Sequence, residues 1–189
     1  MLEKTTEETQ TQLLRRVAAH DRQALAEFYD HVAGVLFSIA VRILGDPEEA
    51  EEVIQDVFVQ IWEKAPMFDL ALGTPFHWAV SITRNRSIDR LRSRQRRTRV
   101  IEELRADMTS EAELYISAGP ASLDTESISI VRGAVASLPS EQRQAIEMAF
   151  FNGLTHVEIA KKLSEPLGTV KARIRRGMLK LRESLQPCV

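Results

Sequence analysis

Thr155-His156-Val157-Glu158-Ile159-Ala160-Lys161-Lys162-Leu163, then Ser164-Glu165-Pro166-Leu167, then Gly168-Thr169-Val170-Lys171-Ala172-Arg173-Ile174-Arg175-Arg176: this stretch decides the fold. It opens on Thr155 with Glu158 three places on, the pairing of a capping box. Ser164 to Leu167 breaks that first helix. A second helix is expected from Gly168, with Thr169 as its candidate cap. Val157, Ala160 and Leu163 are expected to pack on Val170, Ile174, Met178 and Leu181. Lys171, Ala172, Arg175 and Arg176 then remain on the outer face near the helix start. Two short helices joined by a tight turn form a helix-turn-helix, whose second helix enters the DNA major groove by its N-terminal residues. Arg forks onto guanine O6 and N7, and Ala touches a thymine methyl. A helix N-terminus beside a Thr hydroxyl favours a phosphate.

Outward from this motif the chain reads as further helices. Ile130 to Leu138 and Ser140 to Phe151 precede it, broken at Leu138-Pro139-Ser140 and at Asn152-Gly153. Earlier, Val32, Val35, Leu36, Ile39 and Ile43 recur at helical spacing until Gly45-Asp46-Pro47, where Pro47 suits a first turn after an Asp46 cap. The next helix sets Val53, Ile54, Val57, Phe58, Ile61 and Trp62 on one stripe with acids opposite, and ends before Pro66. Met67 to Pro75 reads as a loop. Phe76 to about Arg97 is expected to be helical with Ala79, Ile82, Ile88 and Leu91 inward. A helix around Leu13 to Asp30 completes a first helical domain. No period-two alternation is sustained, so no sheet is expected. The expected fold is all-α: a helical bundle over 10–97, an acidic flexible linker over 98–127, and a helix-turn-helix domain over 128–187. Residues 100–104 are a candidate extension of the preceding helix.

Charge is sorted into blocks. Asp46 to Glu63 carries seven acids and no Lys or Arg, while Arg84 to Arg99 carries eight arginines against Asp89 alone. Glu102 to Ser129 sums to −6 and Lys161 to Arg182 to +7. The net charge of −2 over 189 residues is therefore a cancellation. Screening confines each block's field to about 10 Å, so a partner meets the local block. Two separated basic blocks point to two contacts with a polyanion.

Enzyme classes find little support. His20, His31, His77 and His156 lack metal-ligand spacing, and no phosphate-binding Gly-rich loop or Gly-x-Ser-x-Gly elbow occurs. No catalytic residue, metal site or cofactor is expected. One cysteine, Cys188, excludes an intrachain disulfide framework and reads as a tail thiol. No apolar run approaches the roughly 20 residues of a membrane span, and no signal peptide is read at the start.

Glu158-Ile159-Ala160-Lys161-Lys162-Leu163 followed by Gly168-Thr169-Val170-Lys171-Ala172-Arg173 resembles region 4 of bacterial sigma factors. Many members have Ser where this chain has Ala172. Phe28-Tyr29, the run Asp46 to Glu52, Gln55-Asp56-Val57-Phe58, Phe68-Asp69 and Arg84 to Arg92 resemble region 2. Two such domains with no room for a third are similar to the extracytoplasmic-function (ECF) group. The resemblance covers about 20–97 and 128–185.

The resemblance implies a dissociable specificity subunit of RNA polymerase, acting in the bacterial cytoplasm. The helix Asp46–Lys64 would dock on the β′ clamp helices through Glu52, Gln55 and Asp56, with Phe58 and Trp62 in the core. An acid-rich face suits a basic groove. The β flap would be a second polymerase contact. The loop Met67–Pro75 would capture an unstacked base of the −10 element with Phe68, Asp69, Leu72 and Gly73, Phe68 being equally readable as core. Arg84, Asn85, Arg86, Asp89 and Arg90 would lie along −10 DNA, since Asn reads adenine edges and Arg grips phosphates. Trp78 reads as structural, and Arg92 to Arg99 as phosphate-tracking charge. Thr169, Lys171, Ala172, Arg173, Arg175 and Arg176 would meet the −35 element. A linker of about 30 residues spans about 30 Å when flexible and about 100 Å extended. Two DNA sites two turns apart lie about 68 Å from each other, so it would be stretched when both are held. It would thread the polymerase's RNA-exit path. An anti-sigma factor, often membrane-bound in this group, is an expected partner; direct membrane insertion is not.

Overall fold

The computed structural model describes residues 2–104 and 133–185. The chain divides into two compact units, Met1–Ser122 and Leu123–Val189. All regular structure among the described residues is helical. Residues 105–127 of the expected linker, the start of the helix expected from Ile130, and Cys188 lie outside the described residues.

In the first unit, α1 spans Leu2–Ala18 and α2 spans Arg22–Leu44. The single helix expected over Leu13 to Asp30 is thus interrupted, and the Val32–Ile43 stripe belongs to a helix that begins at Arg22. No Gly or Pro marks the break. His20 takes a left-handed φ of 61°, and Asp21 caps α2 by accepting the N–H groups of Gln23 (2.9 Å) and Ala24 (3.2 Å). Arg16 Nε donates to Asp21 at 2.9 Å. The Ala24 N–H, followed by Arg16, holds the Asp21 carboxyl below its ordinary range. A group depressed in this way tightens the corner above that range and releases it as acid protonates the carboxylate.

The α2–α3 corner forms where its residues predict. Gly45 closes α2 at a φ of 71°, the left-handed conformation glycine adopts without Cβ strain, with its N–H on Val41 O at 2.8 Å. Asp46 caps α3, Pro47–Lys64, by accepting from Glu48 and Glu49, with Pro47 in the first turn. Two 3₁₀ turns follow, Ala65–Met67 and Leu70–Leu72, so the expected loop is partly ordered. Helix α4, Pro75–Leu104, starts on the last loop residue and includes the candidate extension at 100–104. Leu14, Val17, Phe28, Val32, Leu36, Val57, Ile61 and Ala79 fill the core. Thr83 and Ser87 are buried on α4, and each returns its hydroxyl to the carbonyl four residues back. Among the described residues, α2 alone is by length and composition apolar enough to cross a membrane, contrary to the reading of the sequence. That apolarity is used internally, because Phe28, Val32, Leu36 and Ala40 are buried among neighbouring helices.

The second unit has a helical segment at 133–136, α5 over Ser140–Phe150, α6 over His156–Leu163 and α7 over Leu167–Leu185. Its described core is thin: Ala134, Leu138, Ala145, Ile159 and Val170 are its buried apolar side chains. Both halves of the Thr155–Glu158 capping box are present, at 3.2 and 2.7 Å. Ser164 ends α6 in the left-handed region at φ 53°. Thr169 is not the cap of α7. That helix begins at Leu167, and Thr169 lies in its first turn with its N–H on Pro166 O.

The expected packing of Val157 and Met178 is also corrected, since both are exposed. Residues two apart on a helix lie about 200° apart, so Val157 and Ile159 cannot both face α7. Ile159, wholly buried, pairs with half-buried Leu163 four residues on. Gly177 is buried because a Cβ there would sit 2.6 Å from Ile146 Cδ1 and 3.3 Å from Gln142 Cβ of α5. Replacing Thr155 with Ala is expected to cost about 1 kcal/mol through the lost cap. Amide exchange in α6 should then quicken about fivefold, while a glycine there should lose only a fraction of this.

Candidate nucleic-acid interface

Helix α7 presents one face to α5 and α6 and one to solvent. Val170 and Gly177 mark the inner face. Around the opposite face fan Lys171, Arg175 and Arg176, all exposed, with Ala172 half-buried among them. Three cations thus stand clear within the first three turns of a helix with a small apolar side chain among them, the arrangement that major-groove readout uses. Arg173 differs from its neighbours. Its Nη2 donates to Glu165 Oε1 at 3.0 Å, and its side chain is only 21% exposed. It clips the turn between α6 and α7. Thr169 is half-buried near the helix start.

In the first unit, the loop and α4 form a second surface. Phe68 is half-buried against the core with its ring 5.2 Å from Trp78, so the core reading accounts for most of its position. Asp69 accepts the N–H of Ala71 at 2.9 Å and starts the second 3₁₀ turn. Gly73 takes a φ of 140°, which a side chain would strain, and Leu72 stands 88% exposed beside it. Met67 is also exposed. A pocket of about 400 Å³ lies between this loop and α1, walled by Thr11, Arg15, Phe68 and Asp69. No local pattern in the sequence marks these α1 residues, which lie more than fifty positions from Phe68 and Asp69.

On α4, Asn85, Arg86, Asp89 and Arg90 are exposed and Arg84 is half-buried. Burial, and then repulsion from Arg92, lowers the Arg84 guanidinium from its ordinary value. On α3, Glu52, Gln55 and Asp56 are exposed and flank Val59, itself an exposed apolar residue. The two helices are cross-linked by side chains. Arg86 Nε donates to Gln60 at 2.9 Å, Arg90 pairs with Glu52, and Arg94 bridges Glu49 (3.2 Å) and Leu44 O (2.9 Å). Residues assigned to different partners from the sequence therefore touch each other.

The chain matches the family models Sigma-70 region 2 over residues 28–97 and Sigma-70, region 4 over residues 128–181. It is 35% identical over 180 residues to the ECF RNA polymerase sigma factor SigK of Mycobacterium tuberculosis, covering 92% of this chain and 91% of that protein. The SigK of Mycolicibacterium vanbaalenii is 35% identical over 182 residues, 92% of this chain and 87% of its own. Among solved structures, Rhodobacter sphaeroides SigE in complex with the anti-sigma ChrR is similar at 31% identity. It spans 93% of this chain and 98% of that one with a TM-score of 0.46.

Proposed function

Because the chain belongs to the extracytoplasmic-function sigma factors of the sigma-70 family, we propose a division of labour along it. Helix α3, through Glu52, Gln55 and Asp56, binds the β′ clamp helices of core polymerase. The loop residues Phe68, Asp69, Leu72 and Gly73, with Arg84, Asn85, Arg86, Asp89 and Arg90 of α4, hold the −10 element. Thr169, Lys171, Ala172, Arg175 and Arg176 read the −35 element, while Arg173 positions the recognition helix through Glu165. Residues 10–97 and 128–187 act as the two binding domains and 98–127, whose first residues to Leu104 continue α4, as the tether.

The observation that carries this reading is the exposed fan of Lys171, Arg175 and Arg176, with half-buried Ala172 among them, opposite buried Val170 and Gly177. Polymerase performs the chemistry, and this chain supplies recognition in the bacterial cytoplasm. Val157, Met178, Leu179 and Leu185 leave apolar surface exposed on the second unit. The β flap covers it in the holoenzyme and an anti-sigma factor, soluble or membrane-anchored, covers it otherwise. Run-off transcription with core polymerase and a randomised promoter library is expected to yield transcripts from templates sharing two motifs about two turns apart. Initiation without shared motifs, or none, would sink the reading.

A further inference from the structure

The acidic block of α3 and the arginine block of α4 meet side by side. Arg86, Arg90 and Arg94 recur every four residues on one face of α4, opposite Gln60, Glu52 and Glu49 of α3. The three rungs differ in kind. Arg94 is fixed to the corner, because it also donates to the Leu44 carbonyl and its carboxylate partner Glu49 is only 22% exposed. Among the described residues Arg90 is held by Glu52 alone, with side chains 44% and 64% exposed. An exposed pair of this sort strengthens an equilibrium by a factor of about 1.4 to 5, so a competing charge displaces it readily.

We propose that Glu52 masks Arg90 in the free chain, so that polymerase bound at α3 and the −10 strand bound at α4 strengthen each other. This rests on the assignment of Glu52 to polymerase and Arg90 to DNA. A basic groove that takes the Glu52 carboxylate releases the Arg90 guanidinium toward a phosphate. A phosphate that takes Arg90 releases Glu52 toward the groove. Coupling between two ligands is reciprocal, so each must raise the other's affinity by the same factor. The pair thus lowers the free chain's affinity for DNA without removing the residues that bind it.

The full chain is titrated with a fluorescent single-stranded −10 oligonucleotide in the absence of polymerase. Glu52→Gln is expected to raise affinity about threefold more than Glu51→Gln. That control removes the same charge from the adjacent residue, which has no arginine partner among the described residues. In an Arg90→Ala background the excess should vanish. Conversely, Arg90→Ala should bind core polymerase two- to fivefold more tightly when DNA is absent. Equal effects of Glu52→Gln and Glu51→Gln, or no gain in polymerase affinity from Arg90→Ala, would overturn the masking. Two further measurements separate this from failure of the underlying assignments. Glu52→Gln must weaken core binding, and Arg90→Ala must weaken the holoenzyme's hold on the −10 strand. If either does not, that assignment falls and takes the proposal with it.

Discussion

Arg176→Ala is expected to weaken binding of a −35 duplex about tenfold or more while leaving affinity for core polymerase intact. Arg176 is exposed on the outer face of α7, and no side-chain partner among the described residues would be lost. A guanidinium forked onto a base discriminates by about 1–3 kcal/mol, or about 5- to 150-fold in affinity. The loss should concentrate at one base position, seen when single-site duplex variants are compared by fluorescence anisotropy. Lys171→Ala should behave differently. A phosphate contact weakens all sequences alike and lowers the salt slope by about one. Arg173→Ala forms a third class, since it removes the clip to Glu165 rather than a groove contact. Equal loss of duplex and polymerase binding in Arg176→Ala would mean that the second unit had unfolded.

Gly177→Leu is expected to destabilise the second unit by about 3 kcal/mol. The position is buried, and even a Cβ would meet Ile146 at 2.6 Å and Gln142 at 3.3 Å. Overpacking of a tight core costs about 1–3 kcal/mol or more. Gly177→Ala is the instructive contrast. Alanine gains about 1 kcal/mol of helix propensity, and the Ile146 terminal methyl can rotate aside, so the two effects nearly cancel. Trp62 and Trp78 both lie in the first unit, so their fluorescence does not report this change. Amide exchange over α5 and α7 does: Gly177→Leu should speed it about a hundredfold, with the tryptophan transition unmoved. Full protection in Gly177→Leu would contradict the close approach of α5 and α7.

What could be read from the sequence was what local chemistry writes. Gly45-Asp46-Pro47 and Thr155 to Glu158 stop and start helices by hydrogen bonds within a few residues, and both lie where their residue types indicate. The break at His20-Asp21 was not legible, because no Gly or Pro marks it and apolar periodicity continues across it. Val157 was expected inside, because an apolar residue near a helix start looks like core. In the folded unit Ile159 takes that place and Val157 is exposed. In the site, the α7 face was legible through its period of 3.6 residues. Arg173 belongs to the same run of bases, and nothing in that run marks its ion pair with Glu165, eight positions earlier. Glu52 and Arg90 stand 38 positions apart, and nothing in either segment announces their pairing.

The thin core of the second unit has a consequence for the lifetime of the protein. Of the buried apolar side chains among its described residues, two are alanines, and the others are Leu138, Ile159 and Val170. A unit of this size buries too little surface to be strongly stable alone, so it opens more often than a larger neighbour. Any partner that binds only its closed form suppresses that opening in proportion to occupancy. Copies held by such a partner are expected to resist limited proteolysis longer than unbound copies.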